Sequence, residues 1–387
     1  MAVDTFNPVR FKGADQKEFG KTVKKRVSEY FKSNNISKHG DYRMWIKIVV
    51  MTLIYLSPFA VIMLNLVSDN LLLFYACWLM MGIGIAGIGL GVMHDANHGA
   101  LSKNKTINRL VGLILDFVGG SAFTWKVQHN VLHHTYTNVD GYDEDIEPGG
   151  LLRFSPHQPR KKFFKYQIFY AWFLYGLMTF VWVLHKDFLQ LLRYNQKGLL
   201  KAQGTTLGKR MVKLIIQKVF YHSYIIVLPM FIVEVDWWNL LIGFFCMHFV
   251  AGFILAIVFQ PAHVLPETEF PKPDINNMVD LDWDVVQMLT TANFAPSNKI
   301  LSWYVGGLNY QIEHHLFPNM CHIHHPEVSK IVKATAAEFG IPYYSEKTFM
   351  GAIVNHARLL NALGKNDVVP VPMVKTEVPD PKKNKAA

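Results

Sequence analysis

Four stretches of about twenty residues run apolar with few or no charges: 44–67, 71–93, about 219–235 and 237–259. Each is long enough to cross a hydrocarbon core about 30 Å thick as a helix. They fall into two pairs, separated by Ser68–Asp69–Asn70 and by Glu234–Val235–Asp236; connectors this short predict two helical hairpins. Ahead of them, Phe19, Val23, Val27, Tyr30 and Phe31 recur at helical spacing between charges, which predicts an amphipathic lead-in over residues 1–43. Two further apolar stretches stay outside the count. Residues 110–125 are short for a crossing and contain Asp116 and Gly119–Gly120. Residues 163–184 are long enough, but parity argues against them. An even number of crossings must separate the histidine-rich segments on either side if those share one face, and 219–259 already supplies two. This stretch is therefore read as an interfacial or cap helix. Residues 319–363 read as a soluble helical cap, with 341–363 its last helices, and 364–387 as a disordered tail.

Composition agrees with the pattern. The chain is 51% hydrophobic and only 18% charged, too apolar for an average soluble domain. An all-α integral membrane protein follows. Its net charge of +10 is unevenly placed: the first 43 residues hold ten Lys and Arg, while the two hairpin tips hold none. Positive residues stay inside, so both termini and the long polar segments are expected in the cytosol. The membrane would be a bacterial inner membrane or the endoplasmic reticulum. Basic charge then serves topology and attraction to membrane lipids; no basic groove interleaved with aromatics points to nucleic acid. Cys77, Cys246 and Cys321 form no C-x-x-C pair, and no cleaved signal peptide is expected at the N-terminus.

Histidine changes the picture most. His94–Asp95–Ala96–Asn97–His98, His129–Asn130–Val131–Leu132–His133–His134 and Gln311–Ile312–Glu313–His314–His315 each lie just outside an apolar stretch. With 17 histidines in 387 residues, an H-x-x-x-H pair arises about 0.7 times by chance, so the first box is weak alone. H-x-x-x-H-H is expected only about 0.03 times, and Q-x-x-H-H is similarly rare. Residues at i and i+3 or i+4 share a helix face, so each box can present its ligands in one direction. Eight or nine ligands exceed one tetrahedral ion and suit two ions with open positions. Imidazole suits iron, copper or zinc, but zinc has no redox chemistry. The paired Glu and Glu-x-x-His signature of ferritin-like di-iron proteins is absent. The pattern points to oxygen chemistry on a lipid.

The ordered boxes resemble those of the membrane fatty acid desaturase family, over roughly residues 45–340. Gln311 in place of a leading histidine, followed by Glu313–His314–His315–Leu316–Phe317–Pro318, is similar to the front-end branch and its bacterial acyl-CoA and acyl-lipid relatives. The resemblance implies a membrane domain over 44–340 with four transmembrane helices in two hairpins. A cytosolic helical cap would hold a histidine-rich di-iron site beside a bent acyl tunnel. It implies His94, His98, His129, His133, His134, His314 and His315 as iron ligands, with Gln311 weaker or water-mediated. His263, after the fourth stretch, is similar to an additional ligand of the family, although Phe259 stands where some relatives carry asparagine.

Metal-bound imidazoles commonly hand their other N–H to a carboxylate or carbonyl; Asp95, Asn97 and Glu313 are candidates for that role. Trp125, Gln128 and Asn130 flank the second box and are candidates to line the tunnel. Asp140, Asp143, Glu144, Asp145 and Glu147 read as a solvated loop, at most steadying the outer contacts of the site. His222 and His248 lie in apolar stretches and read as packing or hydrogen-bonding residues, as do His322, His324 and His325 before Pro326.

The implied reaction places a cis double bond in an acyl chain carried by CoA, a carrier protein or a lipid. Dioxygen is the co-substrate and the regioselectivity is front-end, of the linoleoyl delta-6 kind. Front-end enzymes often carry a fused cytochrome b5 domain with a His-Pro-Gly-Gly motif. Here the similar string is Glu147–Pro148–Gly149–Gly150, so electrons are expected from a separate ferredoxin or cytochrome b5. Two rivals stand beside this reading. One is a hydroxylase, epoxygenase or ketolase on the same scaffold; the other is a metal transporter or sensor, whose ligands belong near the bilayer midplane.

Overall fold

The computed structural model describes residues 6–13 and 16–366; the tail expected over 364–387 lies outside them from residue 367 on. Helix α1, Lys17–Ser33, buries Phe19, Val23 and Val27, the i, i+4 stripe read from the sequence. Helix α2, Tyr42–Met63, starts where the Asp41 carboxylate accepts from Arg43 N. Helix α3, Leu71–Asn97, is capped by Asn70, which accepts from Leu73 N at 3.2 Å. These caps satisfy backbone donors that a helix start leaves free. Helix α4, Lys105–Phe117, and helix α5, Ala122–His133, meet at a 114° bend. That bend falls inside the 110–125 stretch and explains why it reads too short to cross.

Three long helices follow: α6, Lys162–Gln196; α7, Leu207–Ile232; and α8, Trp237–His263. Among the described residues, α2, α3, α6, α7 and α8 are long and apolar enough to cross a membrane. The count by length and composition therefore exceeds the expected four by one. The extra helix is α6, which contains the 163–184 stretch and runs well past it. The third apolar stretch also begins earlier than 219, because the helix carries on through the polar turns from Leu207. Large apolar side chains such as Leu72, Phe169 and Phe231 are more than three-quarters exposed. A soluble monomer does not display such a girdle, and the molecule is a membrane protein.

Inside the girdle, Met51 and Tyr55 of α2, Trp78 and Met81 of α3, and Phe244 and Met247 of α8 form one core. Bare backbone lets the helices come close: a Cβ on Gly252 would stand 2.7 Å from the Gly176 carbonyl oxygen, a clash any side chain would have to relieve. At the far end the two hairpin tips join. Asn65 donates to Ile232 O at 2.9 Å and accepts from Glu234 N at 2.8 Å.

The other end is covered by helices α9, Trp283–Leu289, α10, Gln311–Leu316, α11, His325–Glu338, and α12, Phe349–Lys365. Phe19, Val23 and Val27 pack into a second core with Met288, Ile312 and Val332, so the N-terminal helix belongs to this cap. Two short parallel pairings tie loops to it, Arg10–Phe11 with Met278–Val279 and Asn293–Phe294 with Ser345–Glu346.

Candidate metal centre

The three boxes and His263 come from α3, α5, α8 and α10 and meet where α3 and α8 end beneath the cap. His94, His98, His129 and His314 place one ring nitrogen each within 4.8 Å of one another; so do His133, His263 and His315. His134 lies between the two groups, its ring 4.6 Å from His98 and from His314 and 4.4 Å from His315, centre to centre. Gln311 is buried in the same helix as His314 and His315.

The local fold explains how box two faces one way. Residues 126–133 form a π-helical turn, in which His134 N donates to His129 O at 2.9 Å. The wider turn puts i, i+4 and i+5 on one side, where an α-helix would bring only the i, i+4 pair together. His129, His133 and His134 can then share a focus. The expected pairing at i, i+4 captured part of this geometry; the i+5 partner needed the π turn.

The two nitrogens of each ring have different surroundings. On the outer side, His133 Nδ1 donates to Asp143 Oδ2 at 2.9 Å and His129 Nδ1 to Asp145 Oδ2 at 3.3 Å. His315 Nδ1 donates to Gln287 Oε1 at 2.9 Å and His263 Nδ1 to Thr290 O at 3.2 Å. On the inner side, Nε2 of His98, His133, His263, His314 and His315, with Gln311 Oε1, has no hydrogen-bond partner among the described residues. Nε2 of His129 instead lies 3.1 Å from His94 Nε2 and 3.2 Å from His134 Nε2. With its Nδ1 proton held by Asp145, His129 turns a lone pair toward those neighbours. That lone pair can take a proton from only one of them, and Nδ1 of both His94 and His134 has no partner among the described residues; a cation among the rings would satisfy the nitrogens left over. The donor set therefore fits metal ions.

Burial pushes the imidazolium pKa values of His134, His314 and His315 well below the ordinary histidine value, and neighbouring rings push the same way. Neutral rings are the form that binds metal.

The acidic loop differs from its expectation as a solvated segment. Asp143 is fully buried and Asp145 nearly so, because their carboxylates serve His133 and His129; Glu144 pairs with Arg193 at 2.8 Å. Glu313 faces away from the rings, accepting from Asn293 at 2.8 Å and Tyr343 at 2.9 Å. Burial raises its pKa to about 7, against the pull of those two bonds. Asn97 donates to Gly112 O at 3.3 Å and touches no box histidine through a hydrogen bond. Asp95 lies 4.0 Å from His94 and accepts from His322 at 2.8 Å. Trp125 stacks on His129 with ring centres 4.5 Å apart. Gln128 donates to Asp145, and Asn130 donates to Asn97 O at 3.0 Å. His248 bonds the Tyr221 hydroxyl at 2.6 Å and His222 donates to Lys218 O at 2.8 Å. His324 and His325 bond the backbone of His39 and Gly307.

Sequence reasoning missed Gln287, Thr290 and Thr137, whose hydroxyl lies 3.1 Å from His315 Nδ1. They stand far from their partners in the chain and carry no spacing signal. Asp143 and Asp145, ten and sixteen residues from the rings they serve, had a signal in their closeness to box two.

Residues 70–347 match the family model described as fatty acid desaturase. The chain is 36% identical over 362 residues to the sn-1 linoleoyl-lipid 6-desaturase of Synechocystis sp., covering 92% of this chain and 98% of that one. It is 34% identical to the protein of the same name from Arthrospira platensis, over 90% of this chain and 93% of the relative. An acyl-lipid (8-3)-desaturase of Physcomitrium patens is also 34% identical, over 92% of this chain and 74% of its own length.

Proposed function

The chain belongs to the fatty acid desaturase family, and on that premise we propose that it is an O2-dependent acyl-lipid desaturase with front-end regioselectivity. It is an oxidoreductase of lipid metabolism, and its substrate is an acyl chain held in a membrane lipid. The observation that carries the reading is the two-sided histidine cluster, with nitrogens bonded outward to Asp143, Asp145, Gln287 and Thr290 and the opposite nitrogens turned inward, toward one another for His129 and without a partner for His133, His263 and His315. The inward atoms of His94, His98, His129, His134 and His314 would hold one iron, and those of His133, His263 and His315 a second. Gln311 Oε1 completes the set from the same helix as His314 and His315. Bound there, the pair supplies the redox chemistry that activates dioxygen against an alkyl C–H bond.

The protein's own part is geometric. Asp143, Asp145 and the Gln287 carbonyl fix ring orientation and tautomer, so the ligand atoms need not reorganise during turnover. Trp125 and Phe259, the latter 5.0 Å from the His133 ring, put apolar rings against the imidazoles and keep water off that side. Two hydrogens leave adjacent methylenes. With two electrons and two protons from outside, they reduce one dioxygen to two waters. The electrons come from a separate ferredoxin or cytochrome b5 type protein.

The meeting of the boxes supports the four-crossing topology proposed here. α1 packs in the cap, so α2 leaves the metal side and α3 returns to it with His94 and His98. α7 leaves, and α8 returns with His263. α6 begins and ends on the metal side, which parity requires if box two and box three are to meet. Four helices then cross, over a membrane domain at 44–340, with the cap, both termini and the metal site in the cytosol.

The test is the fatty acid profile of a host expressing the chain beside its His315→Ala variant, by gas chromatography with double-bond localisation. A new double bond between the carboxyl end and an existing one, made only by the unmutated protein, is expected. Hydroxylated, epoxidised or ketonic lipids without an alkene would move the assignment to a sibling oxygenase.

A further inference from the structure

Lys47 lies in α2, among residues that read as membrane-spanning, yet is 2% exposed. A lysine near a membrane boundary ordinarily runs its stem outward to put the ammonium in water. One kept inside calls for a partner and a role. Its partner is His322: Lys47 Nζ lies 2.6 Å from His322 Nε2. The other ring nitrogen, Nδ1, lies 2.8 Å from Asp95 Oδ2, which also accepts from His322 N at 3.2 Å. A carboxylate at Nδ1 fixes the proton there and leaves Nε2 to accept from the ammonium. The row is therefore cation, neutral ring, anion, all three buried, with no net charge.

Backbone makes room for it. A Cβ on Gly91 would stand 3.3 Å from Lys47 Cδ and 3.1 Å from Gly306 Cα, and one on Gly307 would stand 2.8 Å from His322 Cβ. The row thus threads between the helix that leads into box one and the loop that leads into box three. It joins α2, the residue next to His94, and the cap. Cys321 and Asp95 with His322 have the composition of a third metal site, but His322 Nδ1, the ring nitrogen that faces Asp95, already donates to that carboxylate at 2.8 Å.

We propose that Lys47, His322 and Asp95 are positioning residues, a buried charge-balanced row that holds box one in register with box three so that His94 and His98 meet His314. The inference rests on the reading of His94 and His98 as iron ligands. Removing one charge leaves its opposite buried and uncompensated, whereas removing both leaves a neutral row. The two substitutions are therefore not additive.

The experiment measures metal per chain, kcat and KM for the acyl lipid in the purified wild type, Lys47→Met, Asp95→Asn, the double variant, Cys321→Ser and His94→Ala. In Lys47→Met, kcat is expected to fall about tenfold or more and iron to fall with it, while KM stays within about twofold, as befits a displaced ligand rather than a lost substrate contact. The double variant should regain about threefold or more over Lys47→Met in both kcat and iron. Wild-type iron and kcat in Lys47→Met would overturn the proposal, as would a double variant no better than the single, or a third metal ion lost with Cys321→Ser. If Lys47→Met does not accumulate in the membrane, the double variant decides: recovery supports the row and failure overturns it. Wild-type iron in His94→Ala would instead fault the ligand assignment beneath it.

Discussion

Replacing Asp143 by asparagine tests how far the outer hydrogen bonds govern the metal centre. The Asp143 carboxylate is buried and accepts three donors: His133 Nδ1 and Asn138 N on Oδ2, and Asp145 N on Oδ1, each at 2.9 Å. Asparagine has one acceptor oxygen. Placed at the Oδ2 position it keeps two donors and turns its amide NH2 toward Asp145 N–H, leaving at least one buried donor without a partner. One such donor costs about 1–3 kcal/mol, and the bond from His133 loses its charge assistance as well. The weaker, uncharged bond holds the His133 ring less firmly, and its Nε2 is less firmly aimed at the group formed with His263 and His315. We expect metal held by that group to weaken about 10–100-fold, about 1.4–2.7 kcal/mol. Competition with a graded chelator, read as iron per chain, measures the affinity, and lipid analysis measures turnover. Asp140→Asn is the comparison, because the Asp140 carboxylate bonds no histidine among the described residues. Equal iron retention in the two variants would refute the argument.

His134→Ala and His315→Ala should each abolish desaturation while the protein still inserts, checked by lipid profile and membrane fractionation. Removing metal with a chelator should abolish activity, and iron but not zinc should restore it, because zinc offers no redox step. His356 is buried against Tyr175 at 2.6 Å and Val264 O at 2.8 Å, and burial lowers its pKa to about 4. The unfolded chain therefore binds a proton the native state refuses, so stability is lost as pH falls from about 6.5 toward 4. Between pH 7 and 5 this one residue should account for about 2 kcal/mol, and His356→Gln should flatten thermal stability against pH by that amount. Gly252→Val sets a branched side chain against the Gly176 carbonyl and should cost about 1–3 kcal/mol or more, read as a lower melting temperature in detergent.

What could be read from the sequence was local. The hairpins declare themselves because hydropathy acts on consecutive residues, and the boxes because ligand spacing is short. Asp143 and Asp145 show the limit of that reading. Charge in a loop ordinarily means solvent, and only the fold reveals that these two carboxylates point inward at His133 and His129. Gln287 lies 28 residues from His315, and nothing in its own neighbourhood distinguishes it from any amide in a cap helix. Lys47 hid differently: one lysine in an apolar stretch passes for a boundary residue until its partner, 275 residues away, is seen. The long helix α6 exposed a third limit. Hydropathy and length cannot distinguish a helix that crosses from one that lies along the interface, and α6 is long and apolar enough for either.

The central claim is that the inward-facing imidazoles hold two irons per chain. Its most direct measurement is the metal content and Mössbauer spectrum of the purified, iron-57-loaded protein, taken beside His133→Ala and His94→Ala. The account predicts two irons per chain in the unmutated protein, with loss of occupancy in each variant and distinct spectra for the iron that remains. A single iron, a predominance of zinc, or full occupancy in both variants would contradict it.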